Sequence, residues 1–254
     1  MDAAAAPDPA GMADAAERAR FGGIGLTRRE AIRELREGFA YTDEMLATLN
    51  EPFGRDGYSR LMIALSGLGE HDADGPASRG LEVRALIAAG ADVTATSSKG
   101  RTALHFAASN GRPDAVRMLL AAGARPNAPA ADGPLGVTPL SWAAHCAADE
   151  RARQRLKAPG ASEAARRPPR AAAALSLWDR DHLQRRATRE TQRCLEAVRE
   201  LLRAGADPNA GWARSMRGTP LRVAIAREQH EIADLLRAHG GVVEVGPDSA
   251  GTLI

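Results

Sequence analysis

Gly100-Arg101-Thr102-Ala103-Leu104-His105-Phe106-Ala107 and, shortly after it, Val116-Arg117-Met118-Leu119-Leu120-Ala121-Ala122-Gly123-Ala124-Arg125-Pro126-Asn127 decide how this chain is read. Thr102 is a residue type that caps a helix, and the Leu104 and small alanines after it suit a short helix packed closely on its neighbours. The second stretch is another short helix. Gly123 stops it, because a glycine just past a helix takes the left-handed conformation that closes the last carbonyls. The residues up to Asn127 then turn the chain.

Both halves recur. The first returns as Gly57-Tyr58-Ser59-Arg60-Leu61-Met62-Ile63-Ala64, as Gly136-Val137-Thr138-Pro139-Leu140-Ser141-Trp142-Ala143, and as Gly218-Thr219-Pro220-Leu221-Arg222-Val223-Ala224. The second returns in Val83 to Val93, ended by Gly90, and in Val198 to Asn209, ended by Gly205. Pro139 and Pro220 sit at the opening position of a helix, where a missing N–H leaves nothing unsatisfied. A turn and two helices repeated in this way form an array, since one copy cannot bury its own apolar face.

These residues resemble the ankyrin repeat, whose signature is Thr-Pro-Leu-His-x-Ala in a unit of about 33 residues. From Ser59 to Thr102 is 43 residues, from Thr102 to Thr138 is 36 and from Thr138 to Thr219 is 81, so two intervals carry insertions. The surplus falls at residues 68–79 and 147–193, between the two helices of a repeat in each case, where exposed loops accept added length. The resemblance implies an all-α ankyrin-repeat solenoid of stacked helix-turn-helix units with β-hairpin-like tips. It has four clear repeats plus a divergent N-terminal unit.

The chain divides accordingly into a tail at 1–22, a divergent capping repeat at 23–54, repeats at 55–97, 98–131 and 132–212, a C-terminal capping repeat at 213–241 and a tail at 242–254. In the first unit Thr27 and Glu30 form a capping-box pattern, with Ile32, Leu35 and Phe39 inward, and Met45, Leu46 and Leu49 suit a second helix. In the last, Arg237 stands where inner repeats carry an apolar residue, as a solenoid end requires. Residues 1–22 are too poor in large apolar groups to offset ordering entropy, so disorder is expected there.

Composition narrows the function classes. The 254 residues are 44% hydrophobic and 4% aromatic with a net charge of +2, too small to draw the whole molecule to nucleic acid or an anionic membrane. No stretch approaches the roughly 18 to 20 uncharged apolar residues of a membrane span. An acid and prolines stand where a signal peptide has bases and an apolar run, and the chain holds two cysteines, Cys146 and Cys194. A cytoplasmic protein is expected, with the nucleus as the alternative, a monomer taking no cofactor and no metal. The cysteines read as small buried hydrophobes, against the alternatives of a disulfide across the 47 residues 147–193 or a metal site with His145 or His182.

Three functions compete. The resemblance implies a non-catalytic interaction module or adaptor that binds a partner protein through its concave, hairpin-tip surface, at Tyr58, Lys99, Arg101, Ser109, Asn110, Val137, Trp212, Arg214 and Arg227. Trp212, on a glycine-flanked tip, is placed as an interface anchor. The second is polyanion or nucleic-acid binding: residues 147–193 hold twelve bases against six acids, with Arg166, Arg167, Arg170, Arg185 and Arg186 in dense runs. The third is an enzyme with a site built by that insertion. It lacks support, since the chain carries no phosphate-cradling Gly-x-x-x-x-Gly-Lys, no nucleophile elbow and no His-Glu-x-x-His. His105 is expected to bond to neighbouring turns, because the equivalent positions hold Met62, Ser141 and Arg222 and no catalytic partner recurs.

Overall fold

The computed structural model describes residues 25–66, 75–130, 137–145, 191–210 and 219–243, with side chains from residue 80 onward in the second of these spans. Their helices are α1 (Arg28–Phe39), α2 (Asp43–Ala47), α3 (Arg60–Ser66), α4 (Gly75–Ala89), α5 (Ala103–Ser109) and α6 (Pro113–Ala121). These are followed by α7 (Pro139–His145), α8 (191–203), α9 (Pro220–Ala226) and α10 (His230–Ala238). α4 takes in the last part of the stretch read from sequence as the first insertion.

The helices stack in two rows. α3, α5, α7 and α9 each pack on the next to form an inner row, while α1, α4 and α6 follow one another in an outer row. Across the rows α3 meets α4, α5 meets α6 and α9 meets α10. The recurring leucine of the motif is the reason. Leu61, Leu104, Leu140 and Leu221 are at most 2% exposed, and Leu86, Leu119, Leu201 and Leu236 of the outer row are fully buried. Between them Ala107, Ala143 and Ala224 are also fully buried, and only a side chain that small lets backbones come so close.

Gly90, Gly123 and Gly205 end the outer helices with φ of 102°, 96° and 82°, as the sequence implies. Past each glycine the amide of Ala91, Ala124 or Ala206 returns to the carbonyl of Leu86, Leu119 or Leu201 at 2.9–3.0 Å. The tips are short hairpins closed by the pairs Phe53–Tyr58, Thr96–Thr102 and Ala130–Val137.

Polar bonds tie each unit to the next. Asn50 donates to the Gly90 carbonyl at 3.2 Å and accepts from the Asp92 amide at 2.7 Å. Asn127 does the same to Gly205 and Asp207 at 3.1 and 2.8 Å, and Asn209 to Gly240 and Val242 at 3.0 and 2.8 Å. The matching residue of the remaining repeat is Thr94, which is too short for this double bond. Its hydroxyl turns back on Asp92 instead, at 2.7 Å.

His105 supplies a second kind of tie. Its Nδ1 accepts from the Thr102 amide at 3.1 Å, which leaves the ring proton on Nε2, donated to the Val137 carbonyl of the next tip at 2.8 Å. The ring is fully buried with both nitrogens engaged, the structural role expected of it. Thr138 makes the equivalent link to the Ala210 carbonyl at 3.2 Å, and Thr219 to the Val242 carbonyl at 2.7 Å.

The first unit is pinned by a buried polar pair. The capping box is present, with Thr27 N–H donating to Glu30 at 2.8 Å and Glu30 N–H to Thr27 at 3.3 Å. The second helix, α2, is a single turn of five residues. After α1, Tyr41 inserts its hydroxyl toward α4 and donates to Glu82 Oε1 at 2.9 Å, both residues being buried. Burial, and then the Glu82 charge and hydrogen bond, push the Tyr41 phenol far above its ordinary value.

Two outcomes follow. Thr94→Asn restores the missing clamp, to the Gly123 carbonyl and the Arg125 amide, and should raise stability by about 1 kcal/mol, or about 2–4 °C in Tm by calorimetry; an unchanged or lowered Tm contradicts the register. Tyr41 should give no phenolate signal while the chain is folded. Because the folded pKa lies above the unfolded one, its contribution to stability is complete below about pH 10 and is lost above it. Absorbance titration of the two tyrosines should therefore show one group at ordinary pH and the second only on alkaline unfolding.

Candidate functional site

The fifth residue of the repeated motif forms a column along the inner row: Ile63, Phe106, Trp142 and Val223. The motif's third residue, the leucine, points into the stack. A residue two further along an α-helix lies about 200° around the axis, so this column faces away from those leucines. Nothing in the packing of one repeat on the next demands bulk there, yet three of its members are large.

The column is joined into a continuous surface by rings. Tyr58 and Phe106 meet edge to face with centroids 5.4 Å apart and planes at 83°, and Phe106 and Trp142 at 5.9 Å and 78°. His105 meets Trp142 at 5.8 Å and 84°, so the buried tie between repeats also steadies the indole. The Arg101 guanidinium lies over the Trp142 ring, 4.8 Å from its centroid. Tyr58 and Arg101 occupy the same place in successive tips, and each covers the column residue of the repeat that follows. Edge-to-face pairs contribute about 0.5–1.5 kcal/mol each, and a partly exposed cation on a ring about 0.5–1 kcal/mol, so the surface is fixed before any partner arrives.

Phe53 extends it. It exchanges both backbone hydrogen bonds with Tyr58, at 2.8 and 3.0 Å, so the two side chains leave the hairpin on the same side. Tyr58 is half-buried, whereas Phe53 is 65% exposed. An aromatic ring held in water beside a row of stacked rings is a feature that binding surfaces share.

The residues named from sequence separate into three groups. Tyr58 and Arg101 belong to this surface, with Lys99 exposed beside Arg101 on the same tip and Ser109 half-buried at the end of α5. Three have structural duties. Asn110 donates to the Leu65 carbonyl at 2.9 Å and to Phe106 at 3.0 Å. Arg227 closes α9 and donates to His145 Nε2. Val137 does not stand on the open face: it is 2% exposed, and its carbonyl receives His105. A short branched side chain at that place turns inward, where Tyr58 and Arg101 reach across. Trp212 and Arg214, and Arg166, Arg167, Arg170, Arg185 and Arg186 of the insertion, lie outside the described residues.

Phe53, Phe106 and Trp142 were not picked out from sequence. The available signal was the alignment of repeats, in which one column is bulky while the positions around it are small.

Cys194 corrects an expectation. It is fully buried at the start of α8, as a small hydrophobe would be, but it is disulfide-bonded. The chain's other cysteine, Cys146, lies outside the described residues. Gly111 is fitted to this point, since at φ 57° a Cβ there would stand 2.8 Å from the Cys194 sulfur.

Other chemistry is thin among the described residues. A cavity of about 210 Å³ lies between the first unit and α4, lined by Ile32, Leu46, Leu49 and Asn50 among others, smaller than the roughly 300 Å³ at which small-molecule sites begin. No group of three or more His, Cys, Asp or Glu is placed among these residues to hold a metal ion, and no helix among them is long and apolar enough to cross a membrane.

A family model described as ankyrin repeats (3 copies) matches residues 40–130 and 77–154. No curated protein matches the chain.

Thiol titration of the folded protein without reductant should register no reactive thiol, and two per chain after unfolding in reductant. Two thiols in the folded, unreduced protein would contradict the bond at Cys194.

Proposed function

This chain belongs to the ankyrin-repeat family, whose members generally mediate protein–protein interaction, and from that premise we propose that it is a non-catalytic interaction module holding a protein partner on the inner face of its stack. One observation carries the reading. Tyr58, Phe106, Trp142 and Arg101 form a preorganised surface at a column where the stacking of repeats requires no bulk. Aromatic and arginine side chains of this kind, held rigid before contact, are the groups that dominate protein interfaces, because little rotamer entropy is lost when they bind. Lys99 and Phe53 flank them on neighbouring tips and extend the contact area.

Affinity capture from the source cells, with wild-type protein beside a Trp142→Ser variant of matching secondary structure, tests this. The expected result is a protein recovered by the wild type and reduced about tenfold or more with the variant, the loss typical of an aromatic anchor. A set of bound proteins unaffected by the substitution would remove the inner face from consideration.

A further inference from the structure

Charge is distributed unequally between the two rows of the stack, and the inequality specifies the partner's chemistry. In the described tips, inner helices and the turns after them (52–66, 97–112, 137–145 and 219–229) there are seven Lys and Arg but only two acids, Asp56 and Glu228. In the outer helices (75–89, 113–121, 191–203 and 230–238) seven Arg stand among six acids. The outer cations are matched within the molecule: Arg117 meets Asp114 at 3.3 Å and Glu200 at 3.8 Å, Arg203 meets Glu200 at 2.9 Å, and Arg237 meets Asp234 at 2.7 Å. The two central repeats are the extreme case. Residues 97–112 and 137–145 contain Lys99, Arg101 and Arg112 and no carboxylate at all. Of these, Arg112 is directed to the Ala64 carbonyl at 3.1 Å, whereas Lys99 and Arg101 stand on the tip beside the aromatic row.

Position and charge together select an occupant. An arginine stacked on an indole spends the face of its guanidinium on the ring, while a carboxylate is bound by the N–H groups around the edge, so both contacts are compatible in one side chain. The stack also holds that side chain in place, which reduces the entropy lost when a carboxylate binds. Alongside, Phe53, Tyr58 and Trp142 offer an apolar strip. We propose that the inner face takes an acidic protein segment bearing a large apolar side chain, its carboxylates meeting Arg101 and Lys99 and its apolar group lying on the ring row. A nucleic acid fits less well. Sequence-tolerant stacking needs an open ring face, and Arg101 covers one face of Trp142. Two tip cations also neutralise few phosphates.

This inference rests on the reading of the inner face as a protein-binding surface, and one experiment separates the two. A random dodecamer peptide library is selected on the full chain, on an Arg101→Glu variant and on a Trp142→Ser variant, and enriched peptides are measured by fluorescence anisotropy. Sequences with several Asp or Glu around a large apolar residue should be enriched. Replacing their acids by Asn and Gln should weaken binding about tenfold, and Arg101→Glu, an exchange at a half-buried tip position, should select a less acidic pool. Neutral or basic peptides that require Trp142 would overturn the inference and leave the protein-binding reading standing. Peptides indifferent to Trp142, or none at all, would overturn both. A single-stranded DNA dodecamer that binds through Arg101 more tightly than the best peptide would overturn the inference in favour of a nucleic acid.

Discussion

A helix of seven residues does not persist alone in water, because nucleation costs more than two turns of hydrogen bonds return. α3, α5, α7 and α9 are each that long. Every one of them exists only because a neighbour on either side covers its leucine and its alanines, and the rest of the molecule follows from that dependence. Helices this short must lie side by side, their connections must be tight, and the polar groups at their ends must find partners in the adjacent unit. Asn50, Asn127 and Asn209 on one edge, and Thr138, Thr219 and His105 beneath the tips, are those partners.

A row so constructed has an inside and an end, and the sequence treats them differently. Position four of the motif faces the next repeat: His105 is buried there and Ser141 is 2% exposed, whereas Arg222, in the last described repeat, is exposed. Arg237 is likewise exposed and paired with Asp234, which suits the outer surface of a terminal unit. Position five faces neither neighbour's core. Its freedom from packing duties is what allows Phe106 and Trp142 to be there, and the tip residues that cover them, Tyr58 and Arg101, convert four separate side chains into one rigid surface.

The fold was legible because its determinants are local: a cap, a leucine, two alanines and a stopping glycine all fall within one unit, and copies confirm one another. The surface was only half legible for the opposite reason. Tyr58 and Arg101 could be named as tip residues, but their partners Phe106 and Trp142 stand 48 and 41 residues further along the chain, and adjacency across repeats becomes visible only when columns are compared. Val137 was misjudged because the same tip position turns in or out according to the reach of its side chain. The bond at Cys194 could not be inferred, since a buried thiol and half of a disulfide make the same demand for a small apolar residue.

What separates a binding surface from an exposed part of the core is whether the fold needs it. Urea unfolding of Leu140→Ala and Trp142→Ala, two residues apart on α7, measures that difference directly. Leu140 should cost about 2–5 kcal/mol, the range for a fully buried leucine, and Trp142 about 1 kcal/mol, the value of its ring contacts alone. Equal losses at the two positions would make the ring row a piece of the core and leave the inner face with no surface set aside for a partner.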